Sequence, residues 1–201
     1  MAGRHFDYVY FHTAADLMIK GGANRYVKEY DVGFGLGDSY SYSILSSDGG
    51  DLVDVVDPHI PLREAMKTDR KLPDFLRSVD AKFIRKSRAE GCFFRKDIFF
   101  EIMYPLFCHY SLDDMENLPV AYPIEEYLWS ICVEKFVARH KVRRARHLIM
   151  TSRNEKQMAS IEDMAEVRAS PHLFGIKRFG GLLDDPVRAH ARQLLLSPPA
   201  P

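Results

Sequence analysis

The sequence predicts an α+β protein, with a small N-terminal antiparallel β-sheet packed with a mainly helical C-terminal two-thirds. Before residue 57, apolar and polar residues alternate in short segments, which is typical of strands with one buried face. After Asp57 and Pro58 the apolar residues recur every three to four positions, the period of an amphipathic helix. With 46% apolar and 28% charged residues, the chain has the composition of a folded globular protein.

The N-terminal segments read as strand, helix and then further strands. Residues 6–11 alternate and are rich in aromatics, which predicts a strand. Thr13, followed three residues later by Asp16, resembles a capping box, so a short helix is expected, ended by Gly21 and Gly22. The remaining predicted strands are 25–32, 39–45 and 52–56. A Ser-Asp-Gly-Gly turn joins the last two as a hairpin, because its glycines supply the positive φ angles of tight turns.

Apolar spacing predicts a series of helices in the rest of the chain. The helix predicted around Phe94, Ile98 and Ile102 is largely buried, although the Phe-rich stretch from Cys92 could begin as a strand. Asp185 and Pro186 form a cap and first-turn signal for the terminal helix. The other expected helices are 61–70, 72–90, 124–150 and 155–168, with a loop at 109–123.

One domain over residues 1–196, with a flexible C-terminal tail at 197–201, is the expected organisation for this length. No apolar run approaches the roughly 18 residues that cross a bilayer, and the N-terminus lacks the apolar core of a secretory signal. Cys92, Cys108 and Cys132 show no paired spacing and are expected to be free thiols, mostly buried. These features favour an intracellular protein, cytoplasmic or nuclear, that is not secreted.

Positive charge is concentrated late in the chain. Residues 1–134 carry 15 Lys/Arg and 22 Asp/Glu, whereas residues 135–201 carry 13 and 6. No acid interrupts residues 135–153, which include two histidines and seven cations. These cations are Lys135, Arg139, Lys141, Arg143, Arg144, Arg146 and Arg153.

Several of these cations recur at helical spacing, so a helix over 124–150 would carry them as one cationic ridge. Such a ridge suits a non-enzymatic interaction module that binds an anionic partner, RNA or DNA in the first place and an acidic protein surface otherwise. The alternative is that the acidic part of the chain pairs with the ridge internally or across a homo-oligomer, in a structural subunit. No metal or cofactor is predicted, and no membrane partner.

A second hypothesis is a divalent-metal nuclease. Carboxylates can hold Mg²⁺ or Mn²⁺ against a scissile phosphate while a lysine stabilises the developing charge. The residues with this chemistry are Asp54, Asp57, Asp74, Asp80 and Lys82. Their order, with Pro73 before Asp74 and a single residue between Asp80 and Lys82, resembles the PD-(D/E)-x-K nuclease family. In a helix Asp74 and Asp80 would lie about 120° apart, so solvated charges on an amphipathic helix are the competing interpretation.

Overall fold

The computed structural model describes residues 5–13, 16–43, 60–81, 83–87, 89–117, 124–151, 158–178 and 185–196. Within them the α+β fold class is confirmed. The strands are β1 Tyr8–Tyr10, β2 Asp16–Met18, β3 Val32–Gly33, β4 Leu36–Ser43, β5 Phe83–Ser87, β6 Phe93–Arg95, β7 Arg144–Ala145, β8 Ile149–Thr151 and β9 Gly175–Lys177. The helices are α1 Ala23–Val27, α2 Ile60–Thr68, α3 Leu72–Ser78, α4 Lys96–His109, α5 Leu112–Glu116, α6 Ile124–Arg139, α7 Ile161–Ala169 and α8 Pro186–Leu196.

Two compact units divide the chain. The first unit comprises the described residues of Met1–Phe34, Ala89–Arg95 and Arg143–Pro201. The second unit comprises those of Gly35–Arg88 and Lys96–Val142. A single domain over residues 1–196 stays a prediction. Of the predicted hairpin, residues 39–43 lie in β4, whereas its turn at 47–50, its second strand at 52–56 and the tail at 197–201 lie outside the described residues.

The first unit contains two small sheets. One has the strand order β1-β6-β3-β7 and the other β2-β9-β8, so strands near the N-terminus pair with strands from later in the chain. The pairs β3–β7 and β8–β9 are parallel, and the other pairs are antiparallel. Helices α7 and α8 supply Met164, Val167, Val187 and Ala191 to an apolar core that also includes Ile176 of β9. Burial of these side chains holds the helices to the rest of the unit.

A second core of the first unit is aromatic, and we call it the aromatic cluster. It consists of Phe93, Ala145, Leu148 and Phe174. Helix α1 contributes Tyr26 and Val27 to it, and Tyr30 follows one turn later. The predicted strand over 25–32 is therefore wrong except at its last residue, because the spacing of Tyr26 and Tyr30 also fits one face of a helix.

Asp16 begins a strand, so the short helix predicted after Thr13 is wrong. The local hydrogen bond that suggested it does form, since the Thr13 backbone N–H donates to Asp16 Oδ2 at 2.8 Å. Pairing of Leu17 with Ile176 then draws the segment into the sheet of β9. A capping interaction of this kind stabilises a turn whether or not a helix follows it.

The second unit combines the antiparallel pair β4–β5 with helices α2 to α6. Helix α3 ends at Ser78 and is followed by β5, so the helix predicted over 72–90 is wrong beyond Ser78.

Between α2 and α3, both carboxylate oxygens of Asp69 accept hydrogen bonds. Oδ2 accepts the hydroxyls of Tyr110 and Tyr127, at 2.8 and 3.3 Å, and Oδ1 accepts two backbone N–H groups. Burial nevertheless raises the pKa of Asp69, because those hydrogen bonds only partly offset its desolvation.

Helices with strong local signals begin close to where they are predicted. Helix α8 begins at Pro186. Asp185 Oδ1 accepts the backbone N–H groups of Val187 and Arg188. Helix α4 follows strand β6 directly, as the Phe-rich start allowed. The loop predicted over 109–123 is wrong at α5, a short helix that begins with a capping box between Ser111 and Asp114.

Helix α6 ends at Arg139, so the prediction of one helix as far as residue 150 is wrong beyond that point. Arg144 and Ala145 instead form β7, in parallel pairing with β3. The Arg143 backbone is fixed on both sides by Asp31, whose carboxylate accepts its N–H and whose N–H donates to its carbonyl. Helix propensities differ by less than about 1 kcal/mol per residue, so these tertiary contacts outweigh helical spacing.

No helix in the described part of the chain is long and apolar enough to cross a membrane. None of the three cysteines forms a disulfide; Cys92 and Cys132 are buried and Cys108 is exposed.

Candidate ligand groove in the second unit

A groove with a volume of about 510 Å³ lies in the second unit. The packing of α4 on α6 forms its walls, and the C-terminal end of α3 adds to it. Its lining is aromatic and apolar with three basic side chains. The described lining residues are Ser78, Val79, Phe100, Glu101, Ile102, Tyr104, Pro105, Cys132, Lys135, Phe136, Arg139 and His140.

The last turns of α6 provide the basic side of the groove. Lys135 and Arg139 are four residues apart, and so are Phe136 and His140, so each pair lies one above the other on the helix. The rings of Phe136 and His140 stack, with centroids 4.2 Å apart and planes 20° apart. Arg139 is exposed and makes no ion pair with another described residue. One arginine is therefore available beside a stacked ring pair.

Lys135 is held in place by the segment that follows α3. Its ammonium group donates to the backbone carbonyl of Asp80, and its Nζ lies 3.7 Å from Asp80 Oδ2. Because this contact pairs Lys135 with a residue of its own unit, its charge is less available to a ligand. Arg139 and the exposed Lys141 after the helix are thus the less constrained cations at this end of α6.

Helix α4 provides the aromatic side. Phe100 and Tyr104 are one turn apart and strongly exposed, at 54% and 72%. Phe107 follows on the same helix and is 55% exposed, but it does not line the groove. Large exposed aromatic side chains grouped in a concave site are characteristic of binding surfaces.

Cys132 and Glu101 complete the described lining of the groove. Burial raises the pKa of the Cys132 thiol to about 12, so the thiol stays protonated at neutral pH and is a poor nucleophile. Glu101 is the acid among the described lining residues, against Lys135, Arg139 and His140. The described lining therefore combines aromatic rings with an excess of basic over acidic side chains.

The predicted cations do not form one ridge on one helix. Lys135, Arg139 and Lys141 belong to the second unit, at and after the end of α6. Those that follow, Arg143, Arg144 and Arg146, belong to the first unit and lie in or beside β7. Arg153 lies outside the described residues. The helical ridge expected from spacing is therefore wrong, because the chain leaves the helix at Arg139.

Two of the first-unit arginines are engaged by their own unit. Arg143 forms an ion pair with Asp31 at 3.2 Å, and Arg95 contacts the same carboxylate. The Arg144 guanidinium donates to the backbone carbonyl of Phe34 at 3.3 Å. Arg146 is exposed, with no ion pair to another described residue.

The residues of the nuclease hypothesis divide into two groups. Asp54, Asp57 and Lys82 lie outside the described residues. Asp74 is exposed and forms an ion pair with Arg77, one turn later on α3. Across the described ranges, no group of three or more His, Cys, Asp or Glu side chains is placed to hold a metal ion.

Asp80 has a structural role at the end of α3. Its backbone is left-handed, with φ +54°. Its N–H donates to the carbonyl of Arg77 and the next N–H, of Ala81, donates to Leu76, which is the Schellman pattern of helix ends. Glycine usually takes this position because it adopts positive φ without strain.

We expect Asp80→Gly to raise the free energy of unfolding by up to about 1 kcal/mol, because the strain of the left-handed residue is relieved. Asp80→Val should lower it by about 1 kcal/mol or more, since a β-branched residue tolerates positive φ least. Urea unfolding monitored by circular dichroism measures both changes. The Lys135 contact with the Asp80 carbonyl can form in either variant, and equal stabilities would contradict the assignment.

Sequence reasoning identified Lys135 and Arg139 but missed the aromatic side of the groove. Phe100 and Tyr104 belong to a helix whose Ile98, Ile102 and Met103 are buried, so the segment reads as a core helix. The available signal was their four-residue spacing on the face opposite those apolar residues.

No known protein family matches the chain, and the searches of curated proteins and of solved structures gave no match.

Proposed function

We propose that the protein is a non-enzymatic interaction module that binds RNA or DNA at the groove of the second unit. The observation that carries the proposal is the position of Arg139, exposed and without an ion pair to another described residue, beside the aromatic lining of the groove. A cation that tracks phosphate beside rings that contact bases is the usual arrangement of nucleic-acid grooves. Lys135 and Lys141 add positive charge at the same end of α6.

Charge in the rest of the second unit favours a local contact over binding along the whole surface. By sequence, this unit contains 13 Lys/Arg and 17 Asp/Glu. Within this unit, a polyanion would therefore be attracted to the basic end of α6 and repelled by the net negative charge of the remainder. This supports a small number of phosphate contacts and a moderate dependence of affinity on salt.

Arg139→Glu in the full-length chain is expected to weaken binding of a short labelled RNA of mixed sequence roughly tenfold, because it replaces an attraction to phosphate by a repulsion. Fluorescence anisotropy titrations between about 50 and 200 mM salt measure the effect. Arg139→Gln should reduce the slope of log affinity against log salt concentration by about 1, which corresponds to the loss of one phosphate contact.

Arg168→Glu is the matched control, since Arg168 is also an exposed arginine in the last turn of a helix, α7. Its affinity for RNA should stay close to that of the unaltered protein. Equal affinities for the Arg139 variants and the unaltered protein would exclude this site. Loosening of a homo-oligomer by salt, with no RNA binding, would favour the structural-subunit alternative, and cleavage of the RNA on addition of Mn²⁺ would favour a nuclease.

A further inference from the structure

We infer that the groove takes an unpaired base, so that the nucleic acid recognised is single-stranded. This inference rests on the proposed function and specifies the partner of the same site. The groove is concave and its volume, about 510 Å³, lies within the range of small-molecule pockets. Bases stacked inside a duplex do not present their faces to such a site, whereas unpaired bases do.

The aromatic lining matches this ligand in its chemistry. Phe100 and Tyr104 on α4 are exposed aromatic rings of the lining on which a base can stack, and Phe136 on α6 lines the groove with one ring face stacked on His140. Tyr104 is the most accessible of the three, and its neighbour Phe100 lies one turn before it on the same side of the helix. Stacking is tolerant of sequence because every base has a flat face.

Two cations line the groove on the same helix as Phe136. Lys135 and Arg139 are one turn apart on α6 and lie on the same side of Phe136, and all three residues line the groove. A stacked base with a neighbouring phosphate therefore satisfies both the rings and the charges. An apolar protein helix would satisfy the rings and leave Arg139 without an anionic partner.

Two labelled probes test the inference in the full-length protein: a short single-stranded RNA of mixed sequence, and the same strand annealed to its complement. The single strand should bind at least tenfold more tightly than the duplex. Tyr104→Ala should weaken binding of the single strand roughly tenfold, and Tyr104→Phe should restore it, since stacking needs the ring alone. Phe107→Ala is the matched control, an exposed aromatic of the same helix outside the groove, and should leave the affinity unchanged.

The strong exposure of Tyr104 and Phe107 means that neither truncation opens a core. Circular dichroism of each variant is the control for folding. Equal binding of both probes, unaffected by Tyr104→Ala but weakened by Arg139→Glu, would overturn the inference and leave the proposed function standing. If neither probe binds, both the inference and the proposed function are wrong. A self-associated form that Tyr104→Ala dissociates, without RNA binding, would show that the groove holds a second copy and would also overturn the inference.

Discussion

Gly91→Ala is expected to lower the free energy of unfolding by about 3 kcal/mol, combining left-handed strain with overpacking of the core. Gly91 has φ +78°, a conformation that side chains disfavour. A methyl group at this position would lie 2.6 Å from the backbone N of Ile149 and 2.8 Å from its Cβ. These atoms belong to a buried strand and cannot move aside as a flexible side chain could.

The backbone of Gly91 is also fixed by hydrogen bonds on both sides. Its N–H donates to Phe11 at 2.9 Å, and its carbonyl accepts from Leu148 at 2.8 Å. A shift that relieved the contact with Ile149 would therefore break pairing within the first unit. Urea unfolding followed by circular dichroism measures the loss.

Gly21→Ala is the matched control in the same unit, because no atom lies within 4 Å of the added methyl group and φ is not positive there. It should be neutral or stabilising by up to about 1 kcal/mol, through the reduced entropy of the unfolded chain. Similar stabilities for the Gly21 and Gly91 variants would contradict the packing described around Ile149.

The elements that the sequence predicts well are those with local determinants. Helix α8 has its cap and its first-turn proline adjacent in the chain, so Asp185 and Pro186 are sufficient to locate its start. The end of α6 has no such signal, because neither glycine nor proline follows Arg139. The contacts that favour β7 come from residues distant in the sequence: Asp31 fixes the Arg143 backbone, and β3 pairs with β7.

The residues of the candidate groove also differ in how well the sequence predicts them. Lys135 and Arg139 stand out in sequence because charge can be counted without knowing the fold. The exposure of Tyr104 depends on which face of α4 packs on α6, and apolar composition alone does not distinguish an exposed aromatic from a buried one. The groove results from the packing of α4 on α6, so no short sequence motif predicts it.

Asp31 is the second position at which a large effect is expected. Its carboxylate, 9% exposed, accepts the Arg143 backbone N–H at 2.8 Å and contacts the guanidinium groups of Arg95 and Arg143. Burial alone would raise the pKa of Asp31, but the hydrogen bonds from Arg143 and the charges of both arginines outweigh it and lower the pKa below its usual value.

Asp31→Asn should lower the free energy of unfolding by about 2 kcal/mol at neutral pH, because the amide N–H group faces donors and cannot accept from them. The effect stays below that of a fully buried ion pair, since both guanidinium groups are partly exposed. Asp74→Asn, in an exposed ion pair with Arg77, is the matched control and should cost less than about 1 kcal/mol.

The lowered pKa of Asp31 determines how the stability difference between the two proteins changes with pH. A carboxylate whose pKa is lower in the folded protein contributes stability above its unfolded pKa, about 4, and loses it as the pH falls through the folded value. The difference in stability between the unaltered protein and Asp31→Asn should therefore shrink in urea titrations between about pH 7 and pH 3. A constant difference would show that the ion pairs do not stabilise the fold. A shrinking difference would mean that the ionised Asp31 carboxylate stabilises the first unit through its contacts with Arg95 and Arg143.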